Sequence, residues 1–114
     1  MTLATITLPR GIVERVKREA EKLGVSLEEF LIELLLQNLD PLERAREYAL
    51  AAKEFLERAE KELEKGDARQ AAEKVWGATA LAIKAYAAWR EGRRLTSHRE
   101  LWEFRKVLEK ELGE

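Results

Sequence analysis

From Val75 to Trp89 the chain reads VWGATALAIKAYAAW, and Lys84 is the only charged residue in that run. Apolar or small side chains fall on every side of a helix here, whereas a surface helix carries a single apolar stripe. The segment from Asp67 to Trp89 is therefore expected to be the central helix of a bundle, covered by neighbours all round. Ala71, Ala72, Ala78, Ala82 and Ala85 admit close approach by other helices, while Trp76, Ile83, Tyr86 and Trp89 supply most of the area to bury. Gly77 costs about 1 kcal/mol against alanine inside a helix, so a close crossing by another backbone is expected there. Lys84 is expected to run its stem to the surface or to pair with a glutamate of the preceding helix. The alternative is an interior cation that holds an anionic ligand.

The chain of 114 residues is one domain's worth of sequence. Its 21 Lys and Arg nearly balance its 22 Asp and Glu, so the total charge gives no case for nucleic acid or a membrane surface. With no cysteine there is no disulfide, thiolate nucleophile or zinc finger, and one histidine excludes a multi-histidine metal site within one chain. No metal or cofactor is expected. Neither a secretory pattern nor a membrane-length apolar run is visible, which points to a soluble cytoplasmic protein. High charge with scarce Asn and Gln leans towards a heat-adapted, thermophilic source. Charge is unevenly spread: residues 66–99 hold seven basic and three acidic side chains, and the excess follows the central helix and the loop after it.

Residues 3–8, LATITL, alternate as a short strand does, and Pro9 ends the alternation. A helix is expected from Pro9 to Leu23, with Ile12, Val13, Val16, Ala20 and Leu23 on one face and Gly24 as its left-handed end. Ser26 opens a second helix, and Glu29 completes a capping box. Its expected stripe is Phe30, Leu31, Leu34, Leu35 and Leu39, broadened by Ile32 and Leu36. A lone short strand leaves its backbone groups without partners, and two copies pairing across a two-fold axis would supply them. The strand TITLP, the Gly24-Val25-Ser26 turn and the helix SLEEFLIELLLQNL resemble the ribbon-helix-helix family over residues 1–39. That resemblance implies dimerisation through the strand, DNA contacts from Thr5 and Thr7, and a phosphate held near Ser26. The residues themselves favour dimerisation over DNA reading, because the strand carries no Lys or Arg and the helices carry Glu14, Glu19, Glu21, Glu28 and Glu29. A strand docked within its own chain is the third possibility.

Asp40-Pro41 begins a second unit, residues 40–114, expected to pack with the first as one body. Asp40 caps, Pro41 takes the first helical position and Glu43 returns the capping contact. The helix to about Lys65 is expected to bury Leu42, Ala45, Tyr48, Ala49, Ala52, Phe55, Leu56, Ala59 and Leu63. Gly66-Asp67 makes a tight turn with Asp67 as the next cap, so the two long helices should be antiparallel neighbours. The turn is similar to a tetratricopeptide hairpin, although no second copy at that period is present. After the central helix, REGRRLTSHR is the one strongly basic patch. Gly92 breaks the helix, and Ser97 with Glu100 caps a last helix burying Leu101, Trp102, Phe104, Val107, Leu108 and Leu112.

Chemistry has one place to sit. At the start of that last helix Arg90, Arg93, Arg94 and Arg99, the hydroxyls of Thr96 and Ser97, and free backbone N–H groups form a candidate phosphate or RNA-backbone site beside His98. The plainer alternative is a polar first-turn histidine among arginines that keep a loop solvated. Leu39-Asp40-Pro41, LEKGDARQAAEKVWGATALAIKAYAAW and RRLTSHRELWEF resemble the archaeal PaREP repeat family over residues 25–112. Those proteins are similar to the HEPN superfamily of helical bundles. The resemblance implies an all-α antiparallel bundle of about five helices, here with a short N-terminal strand, forming a homodimer that binds RNA or a partner protein. It also implies an alternative, a metal-independent ribonuclease with Arg93 on the scissile phosphate and His98 as general base, from a pair of sites meeting across the dimer.

Overall fold

Two 24-residue helices, α3 (Pro41–Glu64) and α4 (Ala68–Glu91), form the frame of the computed structural model, which describes residues 4–113. They run antiparallel because their connection is short. Gly66 adopts φ 87° and the Asp67 carboxylate accepts the Gln70 N–H at 3.0 Å, closing one helix and opening the next within a few residues. At 1.5 Å per residue each rod is about 36 Å long, and the pair sets the 40 Å long axis of the molecule.

The register of the pair is fixed where Phe55 meets Gly77. A Cβ built on Gly77 would stand 2.6 Å from the Phe55 ring, so the ring lies directly on the α4 backbone. The glycine thus serves a close approach, made by a side chain of α3 and not by another backbone. Tyr48, Ala52 and Phe55 of α3 pack with Ala78 and Leu81 of α4, and Ile32 and Leu36 of α2 (Leu27–Leu36) lie against them. A second cluster joins Ala80 and Ala87 of α4 to Leu95 and to Leu101 and Phe104 of α5 (His98–Glu111). The fifth helix, α1 (Arg10–Leu23), packs on α2 and ends at Gly24 with φ 72°.

Further expectations are corrected, beginning with Leu42, Ala49, Leu56 and Leu63 of α3 and Trp102 and Leu112 at the C-terminal end, all expected to be buried and all exposed. No strand forms among the described residues: residues 4–9 are exposed and make no strand pairing, while Leu3 lies outside the described residues. Among the described residues there is no partner strand, and a lone short strand leaves its backbone groups unpaired. Nor is α4 enclosed all round, because Val75, Trp76, Ala82 and Trp89 are exposed and only its contact faces towards α2, α3 and α5 are covered. The inward face of α2 carries Glu29 and Glu33, 2% and 4% exposed, while Leu34 and Leu35 of the expected stripe point outward. Lys84, 1% exposed, reaches Glu33 of α2 instead of the surface or a glutamate of α3. These last two corrections have one cause: a buried cation and a buried carboxylate offset each other, so both turn inward.

Candidate nucleic-acid interface

Ser97 accepts the Glu100 N–H at 3.2 Å and the Glu100 carboxylate returns to the Ser97 backbone, a full capping box that fixes the first turn of α5. The same carboxylate accepts the Thr96 N–H at 2.8 Å and the Thr96 hydroxyl at 3.0 Å. Burial works to raise the Glu100 pKa, but the hydrogen bonds from Thr96 and Ser97 and the charge of Arg93 hold it below the usual carboxylate range. The anion seat expected at Thr96 and Ser97 thus already holds an anion, the chain's own Glu100.

His98 starts α5 and stands between two tryptophans. Its ring centroid is 5.5 Å from that of Trp76 and 5.9 Å from that of Trp102, and the Trp102 indole N–H donates to His98 Nε2. Gly24, at the end of α1, abuts it: a Cβ there would lie 3.1 Å from His98 Cβ. Trp76 and Trp102 remain 38% and 47% exposed. The Arg105 guanidinium lies 4.9 Å over the Trp102 ring and pairs with Glu109. Beside Trp76 is a hollow of about 440 Å³ lined also by Ser26, Glu29 and Phe55.

The arginines of the basic patch go separate ways. Arg94 turns inward to Glu33, at 3.1 Å and 3.2 Å. Arg93 lies 5.7 Å over the Phe104 ring. Arg90 and Arg99 stay at the surface, 3.5 Å from Glu111 and 3.6 Å from Glu103. Thr5 and Thr7 are exposed within residues 4–9, far along the chain from the patch, and the Ser26 hydroxyl caps α2 by accepting the Glu29 N–H at 3.0 Å.

Under this surface lies a buried charged network. Glu33 accepts the Tyr48 hydroxyl, meets Arg94, and has Lys84 Nζ 3.2 Å away as an ion pair not aligned as a hydrogen bond. Burial first, and the Glu33 carboxylate second, push the Tyr48 phenol far above its ordinary range. Arg44 donates to the carbonyls of Leu39, at 2.8 Å, and Gly92, at 3.4 Å, tying the turn after α2 to the end of α4.

Glu33, Tyr48, Arg44, Trp76, Trp102 and Arg105 all escape a reading aimed at the basic loop. For the α5 face a signal exists: His98, Trp102 and Arg105 are four and three apart, hence on one side of a helix. For Glu33 the one hint is its complement, the single charge of the Val75–Trp89 run.

Neither the curated proteins nor the solved structures provide a match. A family model described as the archaeal PaREP1/PaREP8 family matches residues 47–114, which take in most of α3, all of α4 and α5, and the whole aromatic and basic surface. Over that stretch, more than half of its length, the chain belongs to the archaeal PaREP1/PaREP8 family.

Proposed function

We propose that the chain is a non-catalytic helical module that binds single-stranded RNA on the α4–α5 surface. The observation that carries this is a row of aromatic rings, the exposed Trp76 and Trp102 with half-buried His98 between them, with Arg105 on the outer ring and Arg99 beside it. Bases stack on aromatic faces without regard to sequence, and cations between them follow the phosphates. Glu103 and Glu109 now hold Arg99 and Arg105, but exposed pairs contribute little, so a phosphate displaces them at small cost. The hollow beside Trp76 leaves room for a base turned out of its strand. From the basic loop the reading retains Arg93 and Arg99, because Arg94 and the helix start are engaged within the chain.

Binding is favoured over cleavage by Arg93 and His98, since the His98 nitrogen that accepts from Trp102 has its lone pair engaged and a general base needs one free. Exposed Ile6, Leu8, Ile12, Leu34 and Leu35 favour a second reading for residues 1–39, a ribbon-helix-helix-like self-association element rather than a DNA reader.

Fluorescence anisotropy with a labelled oligouridylate tests the proposal. Trp102→Ala is expected to raise Kd between about 5-fold and 100-fold, and Arg105→Ala to lower the slope of log K against log salt by about 0.7. Binding unmoved by both changes, or none by the wild type at low salt, rejects it. RNA cleavage that His98→Ala abolishes would put the ribonuclease in its place.

A further inference from the structure

The α3–α4 hairpin is covered on one side only. There α2 and α5 pack on it, while the other side holds an apolar groove of about 730 Å³ lined by Leu42, Ala45, Ala49 and Leu56 of α3 and by Ala82, Ala85 and Trp89 of α4. The exposed apolar positions have a period. Leu42, Ala49, Leu56 and Leu63 on α3 and Val75, Ala82 and Trp89 on α4 form two exposed rows, each residue seven from the next, while Leu50 and Trp76 are exposed outside these rows. Each row runs beside a row turned against the partner helix, Ala45, Ala52 and Ala59 on α3 and Ala71, Ala78 and Ala85 on α4. A row and its neighbour alternate at three and four residues, the spacing by which helices pack knobs into holes. One row of each pair meets its neighbour in the hairpin. The other is left without a partner among the described residues.

We propose that a second copy of the chain fills this groove across a two-fold axis, giving a four-helix bundle of two hairpins. The surface carries its own complement. When α3 packs antiparallel on its copy about a centre near Lys53, Leu56 of one copy falls on Ala49 of the other, and Leu42 falls beside Leu63. The charges along the edge agree. Arg46, Lys53 and Glu60 flank the row at the same seven-residue period, all exposed and with no ion pair inside the chain among the described residues. The same pairing sets Arg46 against Glu60 of the other copy twice over and leaves Lys53 on the axis, where its stem reaches solvent. A surface that answers itself in shape and in charge under one rotation is what a two-fold contact requires. The interface is separate from residues 1–39 and from the aromatic surface, so it neither uses nor blocks the proposed RNA site.

Sedimentation equilibrium of the full chain from about 1 to 100 μM tests it. A dimer is expected, with Ala49→Glu raising its Kd at least about tenfold while helical circular dichroism is unchanged, since Ala49 is exposed. Arg46→Glu is expected to weaken association severalfold, and Glu60→Arg in the same chain to restore it. A monomer throughout that range overturns the proposal. So does a dimer that ignores both changes, or one that Leu35→Glu dissociates and Ala49→Glu does not.

Discussion

Glu29 and Glu33 lie one turn apart on the inner face of α2 and meet opposite circumstances. Glu33 is met by Lys84, Arg94 and Tyr48, whereas Glu29 keeps one carboxylate oxygen buried with no hydrogen-bond partner. Burial raises the pKa of Glu29, against the weaker opposing pull of Lys84, Ser26 and His98. A carboxyl whose pKa is higher folded than unfolded contributes stability below its unfolded value, near 4.5, and loses it as pH rises through the folded value. Glu28 behaves in the opposite sense. Burial opposes its ionisation, but Arg58 at 2.7 Å and Lys74 at 2.9 Å bring its pKa below 4.5, so what it contributes is present above 4.5 and lost as pH falls through the folded value. Glu29→Gln is therefore expected to be more stable than the wild type at pH 7, by roughly 1 kcal/mol, the order of one buried unpaired polar group. The gain should shrink as pH falls towards 4. Urea midpoints at the two pH values read it, and a gain of equal size at both assigns the effect to packing instead of charge.

The helix boundaries were legible because caps are local. Ser26, Asp40, Asp67 and Ser97 each accept the N–H three residues on, and Gly24 and Gly92 end their helices in the left-handed conformation, as the residue types imply. What lay hidden was which way α2 faces. Seven of its ten residues are apolar, so it has no clear polar side from which to infer an inner one, and the choice is made by Lys84 and Arg94, which are far off in sequence. The strand expected over residues 3–8 does not form at the described residues 4–8 of the single chain for a related reason, since alternation states a capacity to pair and a partner must come from elsewhere. Gly77 was legible as a tight place but not as a seat for Phe55. Its contact makes a prediction for the α3–α4 pair. Gly77→Ala gains about 1 kcal/mol of helix propensity but drives a Cβ to 2.6 Å from the ring, and such overpacking costs about 1–3 kcal/mol. Net destabilisation is expected in a thermal melt. If the variant is stabilised, the ring moves aside freely and does not set the register of the hairpin.

At the scale of the whole molecule, the match over residues 47–114 begins inside α3 and leaves α1 and α2 outside it, yet Glu33 of α2 is held by three residues from within it, Tyr48, Lys84 and Arg94. The N-terminal helices are thus joined to the family segment by charge as well as by Ile32 and Leu36. A buried ion pair adds little over apolar residues of the same size, while a buried charge without its partner costs about 3–5 kcal/mol. What the pair contributes beyond stability is orientation, because α2 has leucines enough to seat itself another way round. Glu33→Ala is accordingly expected to lose stability in that range by urea denaturation, and Glu33→Leu with Lys84→Met to regain most of it. Amide exchange separates stability from orientation. In the double variant α3, α4 and α5 should keep their protection while α1 and α2 exchange faster, since an inner face without its ion pair is less distinct from the outward Leu34 and Leu35. Protection of α1 and α2 equal to that of the wild type would mean that Ile32 and Leu36 alone orient the helix and that the charged network only fills space.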